Sequence, residues 1–201
     1  VMAVLHPVKL VISNYPDDKS ETFTVENNPN RPEDGVRQVS FSRELWVEAE
    51  DFLPEPVPKF KRLFPGGPEC RLKGAYIIKC VGYKTDEAGN VTEITAEYDP
   101  NSRGGDPADG RKVKGATLHW VDARTAVNAQ IRLYDNLFTV ENPDEGNFLD
   151  YLNPDSLRVL ADCKVETSLA GAKPGESYQF MRQGYFCADS KDSKPNSLVF
   201  N

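Results

Sequence analysis

The sequence predicts an all-β protein, arranged as two small antiparallel β-barrels with few short helices. A succession of segments rich in β-branched and aromatic residues carries that expectation, several of them alternating apolar with polar positions as half-buried strands do. Fifteen Pro and fourteen Gly break the chain into turns between those segments. Helical periodicity is sparse, and the length suits two small barrels better than one large one.

Taken in order, strands are expected at "VKLVI" (8–12), "RQVSFS" (37–42), "ELWVEA" (44–49) and "AYIIKCVGYK" (75–84). Further strands are expected at "VTEITAEYD" (91–99), "ATLHWVD" (116–122) and "QIRLYDNLFT" (130–139). The clearest hairpin joins Val81 to Tyr98 through "DEAGN" (86–90), where Gly-Asn supplies the turn. "SRELW" (42–46) reads as a turn, and "NFLDYLNPDSL" (147–157) as a short helix or two turns interrupted by Pro154. One helical turn fits near Ala123 to Ala126. The polar, Gly-rich "YDPNSRGGDPADGRKVKG" (98–115) has the length of a functional or mobile loop, with Arg111, Lys112 and Lys114 at its basic end. "ADSKDSKPNS" (188–197) reads as a second mobile loop.

The content of 39% apolar and 27% charged residues is that of a folded domain, not a disordered chain. No apolar run nears the roughly 20 residues of a membrane-spanning helix, and "VMAVLHPVKLVI" lacks the basic leader and cleavage site of a signal peptide. Cys70, Cys80, Cys163 and Cys187 are too dispersed for a zinc site, and free buried thiols in a reducing cytosol are expected instead. Without a secretion signal, the glycosylation triplet at Asn90 carries little weight. The formal charge of −7 and a pI near 5.0 argue against non-specific nucleic-acid binding, which needs broad positive charge. Phosphate-loop, dinucleotide, zinc-protease and nucleophile-elbow motifs are absent. His6 and His119 are expected to be structural, and no carboxylate pair stands out by spacing, so no catalytic residue is assigned.

Against that acidic background, "KFKRLFPGGPECRLK" (59–73) gathers Lys59, Lys61, Arg62, Arg71 and Lys73. On a strand, Lys59 and Lys61 project to one face and Phe60 and Arg62 to the other. After the Pro-Gly-Gly-Pro turn, Arg71 and Lys73 again share a face. Cations close to Phe60, Phe64 and Tyr76 suit single-stranded nucleic acid, whose phosphates pair with Lys and Arg and whose bases stack on rings. The pattern fits equally an exposed hairpin whose cations keep an edge soluble.

Several longer motifs bear on that choice. "HPVKLVISNYP" (6–16), "NPNRPEDGVRQVSFSRELWVEAEDF" (28–52), "DPADGRKVKGATLHWVDA" (106–123), "IRLYDNLFTVENP" (131–143) and "YQFMRQGYFCADS" (178–190) together resemble the C-terminal anticodon-binding region of glutaminyl-tRNA synthetase, a class I aminoacyl-tRNA synthetase. The resemblance runs over essentially the whole chain. It implies two barrels of the ribosomal L25 type holding a splayed anticodon loop between them. It also implies a cytoplasmic, monomeric protein whose partner is the anticodon loop of tRNA-Gln. The ATP-binding signatures of the family's upstream catalytic domain are missing here. The fragment itself is therefore expected to need no cofactor, ATP serving the full-length enzyme, and to be non-catalytic, with no metal site.

By motif match the resemblance places Arg62 at the last anticodon base, a guanine, and groups Arg71, Lys73, Lys59 and Lys61 around the first. Gln179 and Arg182 fall at the middle uracil, and Asn30 at another loop contact. Lys73 stands where the family often has Arg, and a point charge contacts a base differently from a planar fork. A further arginine used for the middle base lies just before Val1 in the family. For Gln179 and Arg182 to share that pocket they must sit beside the chain start. That requirement implies a proximal barrel of 1–37 plus 116–201, with a distal barrel of 38–115 inserted. The alternatives are the equivalent domain of an archaeal or eukaryotic glutamyl-tRNA synthetase, and a β-module for protein interaction. "HPVKLVI" and "QFMRQGYFC" favour the glutamine enzyme.

Overall fold

The computed structural model describes residues 1–201, and its strands, joined by turns and short 3-10 segments, give the all-β class expected. The first half contains β1 (Ala3–Val4), β2 (Pro7–Ile12), β3 (Glu21–Glu26), β4 (Val36–Phe41), β5 (Glu44–Glu48), β6 (Cys70–Leu72), β7 (Ile77–Thr85) and β8 (Val91–Tyr98). There follow β9 (Thr117–Leu118), β10 (Val121–Asp122), β11 (Val127–Tyr134), β12 (Leu157–Val165), β13 (Ser177–Phe180), β14 (Gly184–Cys187) and β15 (Leu198–Phe200). A seven-stranded sheet, ordered β10-β5-β2-β8-β7-β6-β9, curls into a half-barrel. Along β2, Val8, Leu10 and Ile12 are buried while the residues between them are half-exposed, the period-2 alternation of a strand with one covered face.

The β3–β4 hairpin closes over this sheet and completes a core of 25 residues. At its centre Phe41 meets Tyr15, Phe23, Tyr76 and Trp120 edge-on, with ring centroids 5.2, 5.7, 5.4 and 5.2 Å apart. Edge-to-face contact sets the positive rim of one ring against the negative face of the next. A second core of 12 residues lies between a β1-β12-β11-β15 sheet and the β13–β14 hairpin. Residues 2–5 belong to both cores by strict alternation: Met2 and Val4 point into the first, Ala3 and Leu5 into the second.

Within the seven-stranded sheet β2 hydrogen-bonds to β5 on one side and β8 on the other, and β5 and β6 pair with β10 and β9. The segment 116–122 is two short strands, with His119 and Trp120 between them. Residues 59–64 do not form a strand of their own, and only Leu63 bridges, to Phe52. Instead Val57 to Phe60 make a turn closed by the Phe60 N–H to Val57 carbonyl bond, with Lys59 at φ +69°. Of the cysteines, Cys70, Cys80 and Cys163 are buried and Cys187 is half-buried, all unpaired. No helix is long and apolar enough to cross a membrane.

Candidate nucleic-acid interface

Backbone pairing, not a local hairpin, assembles the basic stretch. Leu63 N–H donates to the Asp51 carbonyl, Ala116 N–H to the Lys61 carbonyl, and Arg71 N–H to the Ala116 carbonyl, at 2.9, 2.8 and 3.0 Å. Lys73 N–H continues the series to Leu118 at 2.9 Å. Residues 116–118 thus lie between the Lys61 segment on one side and Arg71 and Lys73 on the other. On β6 the buried Cys70 and Leu72 leave Arg71 half-exposed, and Lys73 emerges on the same side. Gly115 permits this approach, because a Cβ there would stand 2.3 Å from the Glu69 carbonyl oxygen.

Beside this edge runs a groove of about 450 Å³ between the two cores, and Lys73, Gln179 and Arg182 all line it. Asn27 and Pro29 also line it, Pro29 next in sequence to the exposed Asn30, whose N–H donates to the Asn28 side chain at 3.0 Å. The requirement that Gln179 lie beside the chain start is met. The Val1 amino group donates to the Gln179 carbonyl, and Met181 N–H to the Val1 carbonyl, both at 2.9 Å.

Three buried carboxylates hold the groove walls. Asp51, fully buried, takes both arms of Arg182, NH1 at 2.8 Å and NH2 at 2.6 Å, and Nε of Arg62 at 3.3 Å. Glu48 accepts from the Leu5 and His6 N–H groups at 2.7 and 2.9 Å and from Gln183 Nε2 at 2.7 Å. His119, with no exposed surface, sits between Glu48 and Arg182, 3.3 Å from the former and 3.4 Å from the latter, as a structural histidine would. Burial pushes the Glu48 carboxyl upward, but its hydrogen bonds from His119, Leu5 and His6 prevail and hold it below the usual glutamate value. Glu166 accepts from Met2 N–H at 2.8 Å and from NH2 of Arg37 at 3.2 Å, fastening β4 to the second core. The hydrogen bonds that Arg182 donates to Asp51 raise it above the ordinary guanidinium value despite its burial.

Other sequence candidates lie apart from the groove. Arg71 donates to the Gly105 carbonyl at 2.8 Å and lies 3.5 Å from Asp106, so the first-base group is only partly drawn together. Lys59 and Lys61 are exposed, and no carboxylate pairs with them or with Lys73. Tyr76 is core, 3% exposed with its hydroxyl on Glu21 at 2.7 Å, and so offers no ring to a base. Phe60 and Phe64 remain half-exposed, 6.3 Å apart. Arg111 is held by Glu69, Asp99 and Asp109 and pins the 98–115 loop, while Lys112 and Lys114 stay exposed. Lys59 and Arg182 are two of the three non-glycine residues with positive φ, the other being Asn196. Such strain is retained where surrounding contacts over-determine it, often at binding sites.

Sequence reading missed Asp51, Glu48 and Glu166, because a lone carboxylate among 31 has no local signature. It also missed Tyr185, 81% exposed and directly across the β13–β14 hairpin from Gln179. An aromatic and an amide side by side on a wet hairpin face give one surface to stack and one to hydrogen-bond.

The fold is an all-β frame with a groove between its two cores, lined by Arg37, Lys73 and Arg182 beside Glu26. The chain belongs to the anticodon-binding domains of the class I tRNA synthetases (E and Q): two sequence models of that description match residues 1–99 and 117–189. It is 55% identical over 201 residues to a glutamine–tRNA ligase of Vibrio cholerae, covering 100% of this chain and 36% of that protein. A glutamine–tRNA ligase of Vibrio vulnificus is 54% identical over 201 residues and one of Clostridium kluyveri 51% over 203, each with the same shares covered. The chain therefore spans about a third of the length of these curated relatives.

Proposed function

We propose that this chain reads the anticodon loop of a glutamine-accepting tRNA, base by base, for a glutaminyl-tRNA synthetase. The observation that carries the reading is the convergence of Lys73, Gln179 and Arg182 on one groove, with Arg62 joined to its wall through Asp51. Arg62 is assigned to the last base, where an arginine fork matches the two acceptors on guanine. Gln179 and Arg182 are assigned to the middle uracil; Arg71, Lys73, Lys59 and Lys61 to the first base and its phosphates; and Asn30 to the loop backbone. The chain supplies no chemistry, and ATP and aminoacylation belong to the catalytic domain of the whole protein, a cytoplasmic monomer. The two apolar cores support a division into a unit centred on residues 7–122 and a second formed by 127–201 with the chain start.

The test is binding to an anticodon stem-loop with middle uracil and last guanine, beside loops altered at either base, at low and near-physiological salt. Preference for the native loop that persists as salt rises is expected, and Arg62→Ala should relax discrimination most at the last base, by about 1–3 kcal/mol. Equal losses on matched and mismatched loops in Arg62→Ala would remove the base-reading role.

A further inference from the structure

We infer that Asp51 is a positioning residue that couples the reading of two neighbouring anticodon bases by holding Arg62 and Arg182 on one carboxylate. The inference rests on the base assignments just proposed. The two arginines lie far apart in sequence, with Arg182 131 residues from Asp51, and they come from different cores. Yet both end on Asp51, Arg182 through a two-armed pair and Arg62 through Nε.

The carboxylate itself is fixed. It belongs to the 3-10 segment Ala49–Asp51, which is tied at its start by Ala49 N–H to the His6 carbonyl at 2.8 Å. At its end, Leu63 N–H binds the Asp51 carbonyl at 2.9 Å, and NH1 of Arg62 leans on the Glu50 carbonyl at 3.3 Å. Asp51 is 0% exposed, whereas the side chains of Arg62 and Arg182 are 38% and 29% exposed. One negative charge thus lies beneath two positive ones that face solvent.

Donor accounting shows that neither arginine is used up. A guanidinium carries five N–H donors. Arg182 directs NH1 at Asp51 and His119 and one NH2 hydrogen at Asp51, which leaves Nε–H and the other NH2 hydrogen. Arg62 holds Nε 3.3 Å from Asp51 as an ion pair and gives one NH1 hydrogen to the Glu50 carbonyl, which leaves NH2 and the other NH1 hydrogen open. The open fork of Arg62 has the geometry that guanine's two acceptors demand. Both forks keep their aim only while Asp51 supplies the opposing contact, because a long side chain freed from its anchor samples many rotamers and specificity falls with pre-organisation. A shared anchor also links them, since turning one guanidinium redistributes the carboxylate between both.

The experiment uses the full 201-residue chain and three stem-loop RNAs: native, middle base changed, last base changed. Asp51→Asn keeps the shape and removes the charge. It is expected to lower the preference for the native loop over both altered loops, about tenfold each, with near-ultraviolet circular dichroism unchanged. A folded Asp51→Asn chain with both preferences intact, or with equal weakening on all three RNAs, overturns the positioning role. Arg182→Lys, which keeps charge but loses the fork, carries the same test with Asp51 in place, should Asp51→Asn not fold. It is expected to lower the last-base preference about threefold through the shared anchor, and no cross-effect overturns the coupling. If the unaltered chain itself does not distinguish the three RNAs, the base-reading assignment fails and the coupling falls with it. Discrimination in the unaltered chain that survives both substitutions refutes the coupling alone.

Discussion

Replacing Glu48 with Ala tests whether buried carboxylates hold the two cores together. Glu48 is 3% exposed and takes donors from three separate places: the chain start, the β13–β14 turn and His119. Glu48→Ala leaves the N–H groups of Leu5 and His6 without an acceptor, each costing about 1–3 kcal/mol when buried, and strips Gln183 and His119 of a charged partner. The net loss is about 3–5 kcal/mol, in the range found for breaking a buried charge cluster by removing one member. At about 2–4 °C per kcal/mol for a chain of this size, thermal denaturation followed by circular dichroism should shift down by roughly 6–20 °C. The pH dependence has a definite sign. Glu48 titrates below its unfolded value in the folded chain, so its contribution is complete above the ordinary glutamate range. That contribution disappears as pH falls through the lowered value, and the gap between unaltered and Glu48→Ala proteins should close as acid is added. A shift under 2 °C at neutral pH, or a gap that widens in acid, would refute the reasoning.

The remaining predictions concern packing, RNA contact and thiol chemistry. Gly115→Ala forces a methyl against the Glu69 carbonyl and Cys70 Sγ, at 2.3 and 2.7 Å, and should cost about 1–3 kcal/mol in chemical denaturation by pushing residues 116–118 off β6. Lys112→Ala should weaken binding of all stem-loops alike and reduce the slope of log affinity against log salt by about 1, as loss of one phosphate contact does. Burial pushes the Cys70 and Cys163 thiols up to about 12 and that of Cys80 to about 11. Alkylation of the native protein at pH 8, read by mass spectrometry, should therefore label Cys187 first and leave those three intact.

How far the sequence was legible follows from the range of each interaction. Strands such as 8–12, 44–49 and 91–99 were readable because alternation is a local signal, and a strand with one covered face must show it. "ETFTVE" (21–26) carried the same signal in Phe23 and Val25, and was overlooked. β12 was harder, since Leu157 and Val159 are exposed and burial begins only near Cys163, so its apolar positions do not mark its covered face. The cluster at 59–73 was legible as a charge pattern, but its expected hairpin is absent: Val57–Phe60 form a turn, and Lys61 and Leu63 pair with residues distant in sequence.

The chain by itself thus determined the all-β class and the kinship, each of which rests on residue type and short spacing. Only the tertiary structure decided that Lys73, Gln179 and Arg182 share a groove, that Arg111 serves to pin a loop, and that Asp51 anchors two arginines at once. Those outcomes depend on contacts that local pattern does not encode, from Arg111 with Glu69, 42 positions apart, to Arg182 with Asp51 and Arg37 with Glu166, each more than a hundred apart. A carboxylate acquires such a role from burial and from the donors brought to it, and neither exists until the chain has folded.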